Sequence, residues 1–310
     1  MSDAVQLPGV AGLGTAPLGS GPGWYLDWGR TERAGAVATV EAAIRAGVGW
    51  LDTAPFYGWG RAETIVGAAL ASQETRPMLL TKCGTFRRPD GSAYEDHSAD
   101  AIRADVAASL GRLGVSSVDV LQLHDPDPRT PVERAWEVVC GLVGEGKTRA
   151  GGLSNHPVDL MDRAAAIGHV SVVQHQFSLL HREAETAGVL DWCARHGATF
   201  LAWSPLASGF LADGFEMESL GAADFRRNLP WADPARLDLA RLRRELAELA
   251  AGARMAMAGL AVGWVLAKGA RAIVGARSPA EARAITDFRP LPPDLAVAVE
   301  DVVRRASCPG

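Results

Sequence analysis

The sequence predicts a closed (β/α)8 TIM barrel, and the chain length and an alternation of two residue patterns support this fold class. The chain has 310 residues, which suits one α/β barrel of ~250 residues with extensions. Short runs rich in β-branched residues alternate with longer Ala- and Leu-rich stretches, a pattern typical of βαβ units and a parallel sheet. We therefore expect a single barrel domain over residues 1–310. The eight expected strands are Val10–Leu13, Val48–Asp52, Met78–Lys82, Val118–Leu123, Thr148–Leu153, Ser171–Gln174, Thr199–Trp203 and Arg271–Gly275.

Helical spacing between these runs predicts the outer layer of the barrel. Two features extend the regular pattern. Residues Ala207–Ala235, after the seventh strand, show no clear period, which predicts a long loop that is functional or mobile. Pro292–Ala306 predicts an extra C-terminal helix. The other expected helices are Arg33–Ala46, Ala99–Leu113, Val132–Glu145, Ala184–His196 and Met257–Lys268.

Two nucleotide-binding motifs are disfavoured by the order of the predicted elements. The stretch 141–148 reads GxxxxGK[ST], with Lys147 as its lysine, but it follows a predicted helix and leads into a strand. A phosphate-binding loop needs the reverse order. The glycines at 12 and 14 suggest a dinucleotide-binding turn, but Pro17 stands in place of the third glycine. A doubly wound sheet with a glycine-rich phosphate turn is therefore not expected.

Composition and charge exclude several classes of protein. The formal net charge is −5, so there is no basic surplus for binding nucleic acid. No secretory signal pattern and no run of ~18 apolar residues is present, so we expect a cytoplasmic protein without a membrane partner. The cysteines form no CxxC pair and have no His partners at zinc-site spacing, so we expect buried thiols and no metal site. They are Cys83, Cys140, Cys193 and Cys308.

Polar side chains occur where the predicted strands end. In a (β/α)8 barrel the carboxyl ends of all strands meet at one mouth, where such side chains form the active site. Residues that only increase solubility would not collect at the same end of so many strands. The side chains at these ends are Asp52, Lys82, His124, Ser154, Asn155, Gln174, Ser204, Arg277 and Ser278.

One subset of these residues has the chemistry of a proton-delivery site. Tyr57 lies five residues after Asp52, and tyrosine normally titrates near ~10. A neighbouring Lys82 ammonium favours the phenolate and lowers that pKa towards neutrality. Asp52 would hold the lysine charge, and His124 would donate a hydrogen bond to a carbonyl oxygen. The four residues together predict acid–base catalysis at a carbonyl group.

Several motifs in one order resemble the aldo-keto reductase superfamily. They are Asp52-Thr-Ala-Pro-Phe-Tyr57-Gly58, Thr81-Lys82, Gln122-Leu-His124, Gly152-Leu-Ser154-Asn155 and Trp203-Ser-Pro-Leu206. The glycine-rich start at 12–19 and the stretch 274–278 extend the resemblance over nearly the whole chain. It implies a (β/α)8 barrel that catalyses NAD(P)-dependent oxidoreduction with a tetrad of Asp52, Tyr57, Lys82 and His124.

The resemblance also implies residues that bind the cofactor, expected to be NADPH with NADH as the alternative. Trp203 replaces a tyrosine that commonly stacks on the nicotinamide. Arg277 is a candidate ligand of a 2′-phosphate or of the adenine face. Many members carry a Glu-Asn pair that contacts adenine, whereas Ala284 and Ile285 occupy those positions here. The implied cofactor residues are Asp52, Ser154, Asn155, Gln174, Trp203, Ser204, Leu206, Ser208, Gly275, Arg277 and Ser278.

The implied activity is the reduction of an aldehyde or ketone to an alcohol, with a small molecule as the partner. Residues 57–58 and 81–88 also resemble the aldose-dehydrogenase branch, so the second enzymatic hypothesis is the oxidation of a sugar or alcohol with NAD. A third hypothesis is a regulatory subunit that binds the cofactor, and the intact tetrad disfavours it. Substrate identity and oligomeric state stay open. The side chains expected at the substrate pocket are Trp24, Tyr25, Phe56, Phe86, His124 and Trp231.

Overall fold

A closed barrel of eight parallel strands forms the centre of the molecule, as the sequence predicts. The computed structural model describes residues 5–21, 23–26, 28–29, 31–222 and 224–306. Each strand pairs with its neighbours in sequence, and the first pairs with the last. The ends of the predicted strands differ from the observed ends by at most two residues. The strands are β1 (Ala11–Gly14), β2 (Trp50–Asp52), β3 (Met78–Cys83), β4 (Val118–Leu123), β5 (Thr148–Ser154), β6 (Val172–Gln176), β7 (Thr199–Trp203) and β8 (Arg271–Gly275).

Helices surround the barrel. Five match the predicted ranges closely, namely Arg33–Arg45, Ala99–Leu113, Val132–Gly144, Met257–Ala267 and Pro293–Ala306. The range Ala184–His196, predicted as one helix, is divided into Glu183–Thr186 and Val189–His196. Gly188 separates the two with φ at +77°, a left-handed conformation that a helix cannot continue through. The described residues form further helices at Arg61–Leu70, Val158–Ala165, Leu239–Gly252 and Pro279–Ala284.

The end of the barrel where the strands begin is filled by apolar side chains. Trp50 is fully buried there. Gly12 leaves room for its ring, since a Cβ on Gly12 would lie 2.2 Å from the indole. Inward side chains two residues further along each strand belong to the opposite, polar half. The apolar end therefore closes the barrel, and access is from the carboxyl ends. The side chains in this cluster are Leu7, Trp50, Leu80, Val120, Val172, Leu201 and Ile273.

Three loop regions lie at the carboxyl ends of the strands. An antiparallel hairpin, Thr85–Arg87 with Ala93–Glu95, follows β3 and was not predicted. The long loop after β7 is present, and it contains the short 3-10 turns Ala207–Gly209, Met217–Ser219, Phe225–Asn228 and Pro230–Ala232. Trp28, in the loop after β1, packs edge-on against Phe225 of the long loop, with ring centroids 4.7 Å apart. These two loops therefore touch above the barrel.

The stretch 141–148 leaves the helix Val132–Gly144 and enters β5, so it lacks the geometry of a phosphate-binding loop. Cys83 and Cys193 are buried free thiols, Cys140 is partly buried, and Cys308 lies outside the described residues. Within the described part of the chain, no single helix is long and apolar enough to cross a membrane. The helices Leu239–Gly252 and Met257–Ala267, bent by 86°, pass that test only as a pair.

Candidate active site

Lys82 lies at the centre of a buried polar cluster. Its Nζ donates hydrogen bonds to Asp52 Oδ1 at 2.7 Å, to Tyr57 Oη at 3.1 Å and to the carbonyl oxygen of Thr53 at 3.1 Å. The side chains of Lys82 and Asp52 are 1% and 2% exposed. An ammonium has three protons to donate, and the three acceptors use all of them. The structure therefore brings Asp52, Tyr57 and Lys82 together as the sequence analysis expected.

The position of Tyr57 depends on close contact between two backbones. Gly58 has φ at +61°, and a Cβ on it would lie 2.0 Å from the carbonyl oxygen of Gly19. A Cβ on Gly19 would in turn lie 2.8 Å from the carbonyl group of Tyr57. Only residues without side chains allow the loops after β1 and β2 to meet this closely. This contact holds the phenol ring over the barrel mouth.

The pKa of Tyr57 corrects one sequence-based expectation. Burial raises the pKa of Tyr57 to about 12, while the Lys82 ammonium lowers it by less. The expected shift towards neutrality is therefore wrong for this structure. Burial favours the neutral phenol, since a phenolate here would lose its hydration. Tyr57 holds its proton throughout the neutral pH range.

The partners of Tyr57 form a coupled ion pair. Burial lowers the pKa of Lys82, but Asp52 and Tyr57 raise it by more, so the net shift is upward. Burial also raises the pKa of Asp52, against the opposing effects of Lys82 and of the Gln174 and Gln122 amides. The 2.7 Å contact keeps the lysine charged beside the phenol.

His124 completes the expected tetrad. Its ring packs edge-on against Tyr57 and Phe56, with centroid distances of 5.9 Å and 5.5 Å. Burial, together with the charge of Lys82, holds the pKa of His124 well below its usual range. The imidazole is therefore neutral and carries one N–H donor. Nδ1 of His124 has no hydrogen-bond partner among the described residues.

Buried polar atoms without partners lie at the ends of the neighbouring strands β4, β5 and β6. Ser154 Oγ and Gln174 Oε1 are buried and lack a hydrogen-bond partner within the described residues. Gln122, which the sequence analysis did not propose as a site residue, is fully buried on β4. It pairs in register with Lys82, and its place two residues before His124 was a signal that it faces inward. A buried polar group is normally hydrogen-bonded, so a ligand carrying donors and acceptors fits these atoms.

Asn155 is held between two side chains. Its Nδ2 donates to Asp125 Oδ1 at 2.8 Å, and its Oδ1 accepts from Trp203 Nε1 at 3.0 Å. The backbone of Asn155 is left-handed, with φ at +58°. The sequence analysis did not single out Asp125, whose neighbour His124 was the only signal. Burial raises the pKa of Asp125 to about 6, although Asn155 and Lys82 lower it.

The remaining cofactor candidates lie on the loops after β7 and β8. The Ser208 N–H donates to Ser204 Oγ at 2.7 Å, and Leu206 between them is partly buried. Both serines have positive φ, at 56° for Ser204 and 57° for Ser208. Backbone strain of this kind occurs at ligand-binding loops.

Strand β8 ends at the exposed Gly275, and the next loop follows it. Ser278 caps the helix Pro279–Ala284, and the Arg277 N–H donates to Glu281 Oε2 at 2.8 Å. The Arg277 guanidinium is exposed and donates to the Gly29 carbonyl oxygen at 3.5 Å. Ala284 is exposed and Ile285 is buried.

Aromatic rings cluster beside Tyr57 at the mouth of the barrel. Trp24 lies 6.2 Å from Tyr57 and 5.7 Å from Phe56 between ring centroids, and Tyr25 lies 6.0 Å from Phe56. Trp59, which was not predicted as a site residue, packs edge-on against Phe56 at 5.3 Å. Trp24 and Tyr25 line an open cavity of about 690 Å³ together with residues of the hairpin.

Two aromatic candidates lie outside this cluster. Phe86 packs against Tyr94 across the hairpin, with centroids 5.8 Å apart. Trp231 is 5% exposed, and its ring contacts Phe210 at 6.3 Å and His181 at 6.4 Å. Trp231 therefore belongs to the main hydrophobic core under the long loop, and the structure does not bring it to Tyr57.

Comparison with known proteins agrees with this barrel fold. The family model described as "Aldo/keto reductase family" matches residues 11–302. The chain belongs to the aldo/keto reductase family. A solved structure, glycerol dehydrogenase AKR11B4 from Gluconobacter oxydans, superposes with a TM-score of 0.86 and 29% sequence identity, covering 98% of this chain and 96% of that one. Aldo-keto reductase AKR11C1 from Bacillus halodurans shares the fold, with a TM-score of 0.74 at 23% identity over 96% of this chain and 92% of that one.

Two curated relatives match part of the chain. "NADH-specific methylglyoxal reductase" of Escherichia coli (strain K12) is 34% identical over 213 residues, or 64% of this chain. Aldo-keto reductase YhdN of Bacillus subtilis (strain 168) is 33% identical over 218 residues, or 70% of this chain. In both cases the match spans 64% of the relative's own length.

Proposed function

We propose that this aldo/keto reductase reduces an aldehyde or ketone to an alcohol with a nicotinamide cofactor, and that Tyr57 donates the proton. The observation that carries the proposal is the contact of Lys82 Nζ with both Tyr57 Oη at 3.1 Å and Asp52 Oδ1 at 2.7 Å. An acid, a fixed positive charge beside it and a carboxylate that holds that charge are what protonation of a carbonyl oxygen requires.

Each of the four tetrad residues has its own role in the transfer of one proton to the substrate. Tyr57 is protonated at neutral pH because its pKa is about 12, so it can donate to a carbonyl oxygen that gains negative charge. Lys82 stabilises the phenolate left behind, and Asp52 keeps the lysine in place. His124 is neutral and can donate a second hydrogen bond to the same oxygen, which orients the carbonyl group for attack.

The buried orphan atoms fit a nicotinamide carboxamide. Ser154 Oγ can donate and Gln174 Oε1 can accept, and an amide offers the complementary acceptor and donor. Trp203 adds a flat aromatic face at the end of β7 that suits stacking on a planar ring. When bound, the reduced nicotinamide supplies the hydride that the side chains present cannot supply.

For the adenosine end we propose NADPH as the preferred cofactor. The Arg277 guanidinium is exposed, and among the described residues no carboxylate lies within ion-pair distance of it, so it can bind a 2′-phosphate through paired hydrogen bonds. NADH is the alternative, since Ala284 and Ile285 offer adenine no polar side chain, and a relative is named as NADH-specific. Turnover should therefore be measured with NADPH and with NADH.

The relatives suggest which substrates to test first. Their names include a methylglyoxal reductase and a glycerol dehydrogenase, so methylglyoxal and glycerol represent the two directions of reaction. Trp24, whose ring lies 6.2 Å from that of Tyr57, also lines an open cavity of about 690 Å³ that is large enough for small carbonyl compounds. The high pKa of Tyr57 favours reduction near neutral pH, and oxidation of an alcohol is the second candidate.

Turnover of methylglyoxal, followed by loss of the reduced-nicotinamide absorbance with NADPH and with NADH, tests the proposal. Tyr57→Phe keeps the ring but removes the acidic proton, and we expect turnover to fall by about 10²–10⁴-fold. Tyr94→Phe makes the same change on the hairpin and leaves turnover intact. A wild-type protein that binds cofactor but turns over neither methylglyoxal nor other aldehydes would instead support a regulatory subunit.

A further inference from the structure

A chain of hydrogen bonds runs from Asp125 through Asn155 to Trp203. Asn155 Nδ2 donates to Asp125 Oδ1 at 2.8 Å and to the His124 carbonyl oxygen at 3.3 Å. Asn155 Oδ1 accepts from Trp203 Nε1 at 3.0 Å. Asp125 follows β4, Asn155 follows β5 and Trp203 ends β7. The chain of hydrogen bonds therefore crosses the mouth of the barrel, near the atoms Ser154 Oγ and Gln174 Oε1, which have no partner among the described residues.

The chemistry of the two ends fixes the amide between them. An indole N–H can only donate, and an ionised carboxylate can only accept. Rotating the Asn155 amide by 180° would place its NH₂ group against the indole N–H and its oxygen against the carboxylate. Both contacts would be repulsive, so only one amide orientation satisfies the site.

The backbone leaves Asn155 little freedom to move as a unit. Its N–H donates to the carbonyl oxygen of Gln174 at 2.9 Å, and its φ of +58° lies in the left-handed region, which few residues adopt. Asp125 is the nearer of the two acceptors that hold the amide nitrogen, at 2.8 Å against 3.3 Å for the His124 carbonyl oxygen. The indole N–H of Trp203 donates to the oxygen of that amide, so the amide orientation determines the direction of the indole N–H.

We infer that Asp125 is a positioning residue: its carboxylate, acting through Asn155, sets the plane of the Trp203 indole and the direction of the Asn155 amide. The inference deepens the proposed function, because these two groups would face the nicotinamide ring. Asp125 itself touches neither Tyr57 nor Lys82 by hydrogen bond among the described residues. The competing account is that Asp125 acts only through its negative charge, which also raises the pKa of Tyr57 and Tyr25.

The indole N–H resonance of Trp203 tests the inference without any cofactor. In protein carrying ¹⁵N-tryptophan, the resonance is assigned as the one missing from Trp203→Phe, and the other indoles of the 9 tryptophans report whether the fold is intact. We expect Asp125→Ala to shift this resonance and speed its hydrogen exchange. Asp125→Asn, which keeps an acceptor oxygen but loses the charge, retains most of the wild-type signal.

Glu95→Gln is the control for charge, measured at about pH 8.5 because burial raises the pKa of Glu95 to about 7 and its carboxylate is mostly charged only above that value. Glu95 is a neighbouring carboxylate that also raises the pKa of Tyr25, and its bond is with Thr85 Oγ1. We expect this variant to leave the Trp203 resonance unchanged. An unchanged resonance in Asp125→Ala, a shift in Asp125→Asn as large as that in Asp125→Ala, or a comparable shift in Glu95→Gln would overturn the inference.

A double-mutant cycle on cofactor affinity extends the test to the site itself. Asp125→Ala and Trp203→Phe each break the same chain, so we expect each to weaken nicotinamide binding by about tenfold and the double variant to weaken it by far less than the product. Multiplicative losses would show that the two residues act independently and would contradict the inference. If wild-type protein binds no nicotinamide cofactor, the proposed function fails, and the indole resonance still decides the role of Asp125.

Discussion

Gly58 and Gly19 meet so closely that a methyl group on Gly58 would lie 2.0 Å from the Gly19 carbonyl oxygen. Tyr57 precedes this contact directly, so the loop carrying the proposed acid is placed by backbone packing. We expect Gly58→Ala to push the loops apart and lower turnover by about 10²-fold, since displacements of about 1 Å have effects of this size.

The matched control is Gly114→Ala, which introduces the same methyl group at a similar φ of +69° with nothing within 4 Å. Both variants lose about 1–2 kcal/mol of stability from left-handed backbone strain. Only Gly58→Ala should lose activity. Equal kcat values for the two variants would show that the loop contact does not position Tyr57.

Lys82→Met should lower both activity and stability. It removes the charge beside Tyr57 and leaves Asp52 buried without its partner, a change that destabilises proteins by about 3–5 kcal/mol. Adding Asp52→Asn should restore much of the stability, as measured by urea unfolding, while turnover stays lost. Replacing the exposed Lys147 by alanine should change neither quantity. A stable Lys82→Met protein with near-normal turnover would contradict the assigned role.

The pKa of Tyr57 predicts opposite pH profiles for the two directions of reaction. With a pKa of about 12, the protonated acid needed for reduction stays fully populated from pH 6 to 10, so Tyr57 imposes no decline there. Oxidation needs the phenolate. As long as the pH is below the pKa, the phenolate fraction increases about tenfold for each unit by which the pH is raised. Glycerol oxidation should therefore climb with that slope between pH 7 and 10. A plateau in that range would place the working pKa lower.

Arg277→Ala should weaken NADPH binding by about ten- to a hundredfold and leave NADH binding nearly unchanged. A charge-assisted pair with the 2′-phosphate contributes roughly 1.5–3 kcal/mol, and NADH lacks that group. Quenching of tryptophan fluorescence by each cofactor measures both affinities. Arg283→Ala, on the exposed surface of the next helix, serves as the control. Equal losses for both cofactors would assign Arg277 to the shape of the loop or to adenine.

The barrel could be predicted because its pattern is local and repeated. Runs such as Val118–Leu123 are apolar enough to identify buried strands, and polar residues at their ends, such as Lys82, mark the mouth. The hairpin Thr85–Arg87 with Ala93–Glu95 escaped prediction because three-residue strands leave too little pattern. The helix predicted over Ala184–His196 is interrupted at Gly188, whose left-handed φ could not be inferred from the neighbouring residues.

The identity of the site residues was easier to predict than their state. Asp52, Tyr57 and Lys82 meet as expected, but the direction of the Tyr57 pKa depends on burial, which only the folded chain determines. The role of Asp125 depends on a contact with Asn155, 30 residues away in sequence. Trp231 looked like a mouth residue because it lies in the long loop, yet that loop turns it into the core.

Pairing of β1 with β8 has a consequence for how the chain reaches its native state. Leu13 lies opposite Val274, so the barrel cannot close during synthesis until residues 271–275 have left the ribosome. Before that point β1 and β7 present open edges, which are templates for pairing with other chains. Such long-range closure also slows folding. Termination between residues 124 and 271 should therefore yield an aggregating fragment, even though such a fragment already contains every group of the proposed proton-transfer machinery.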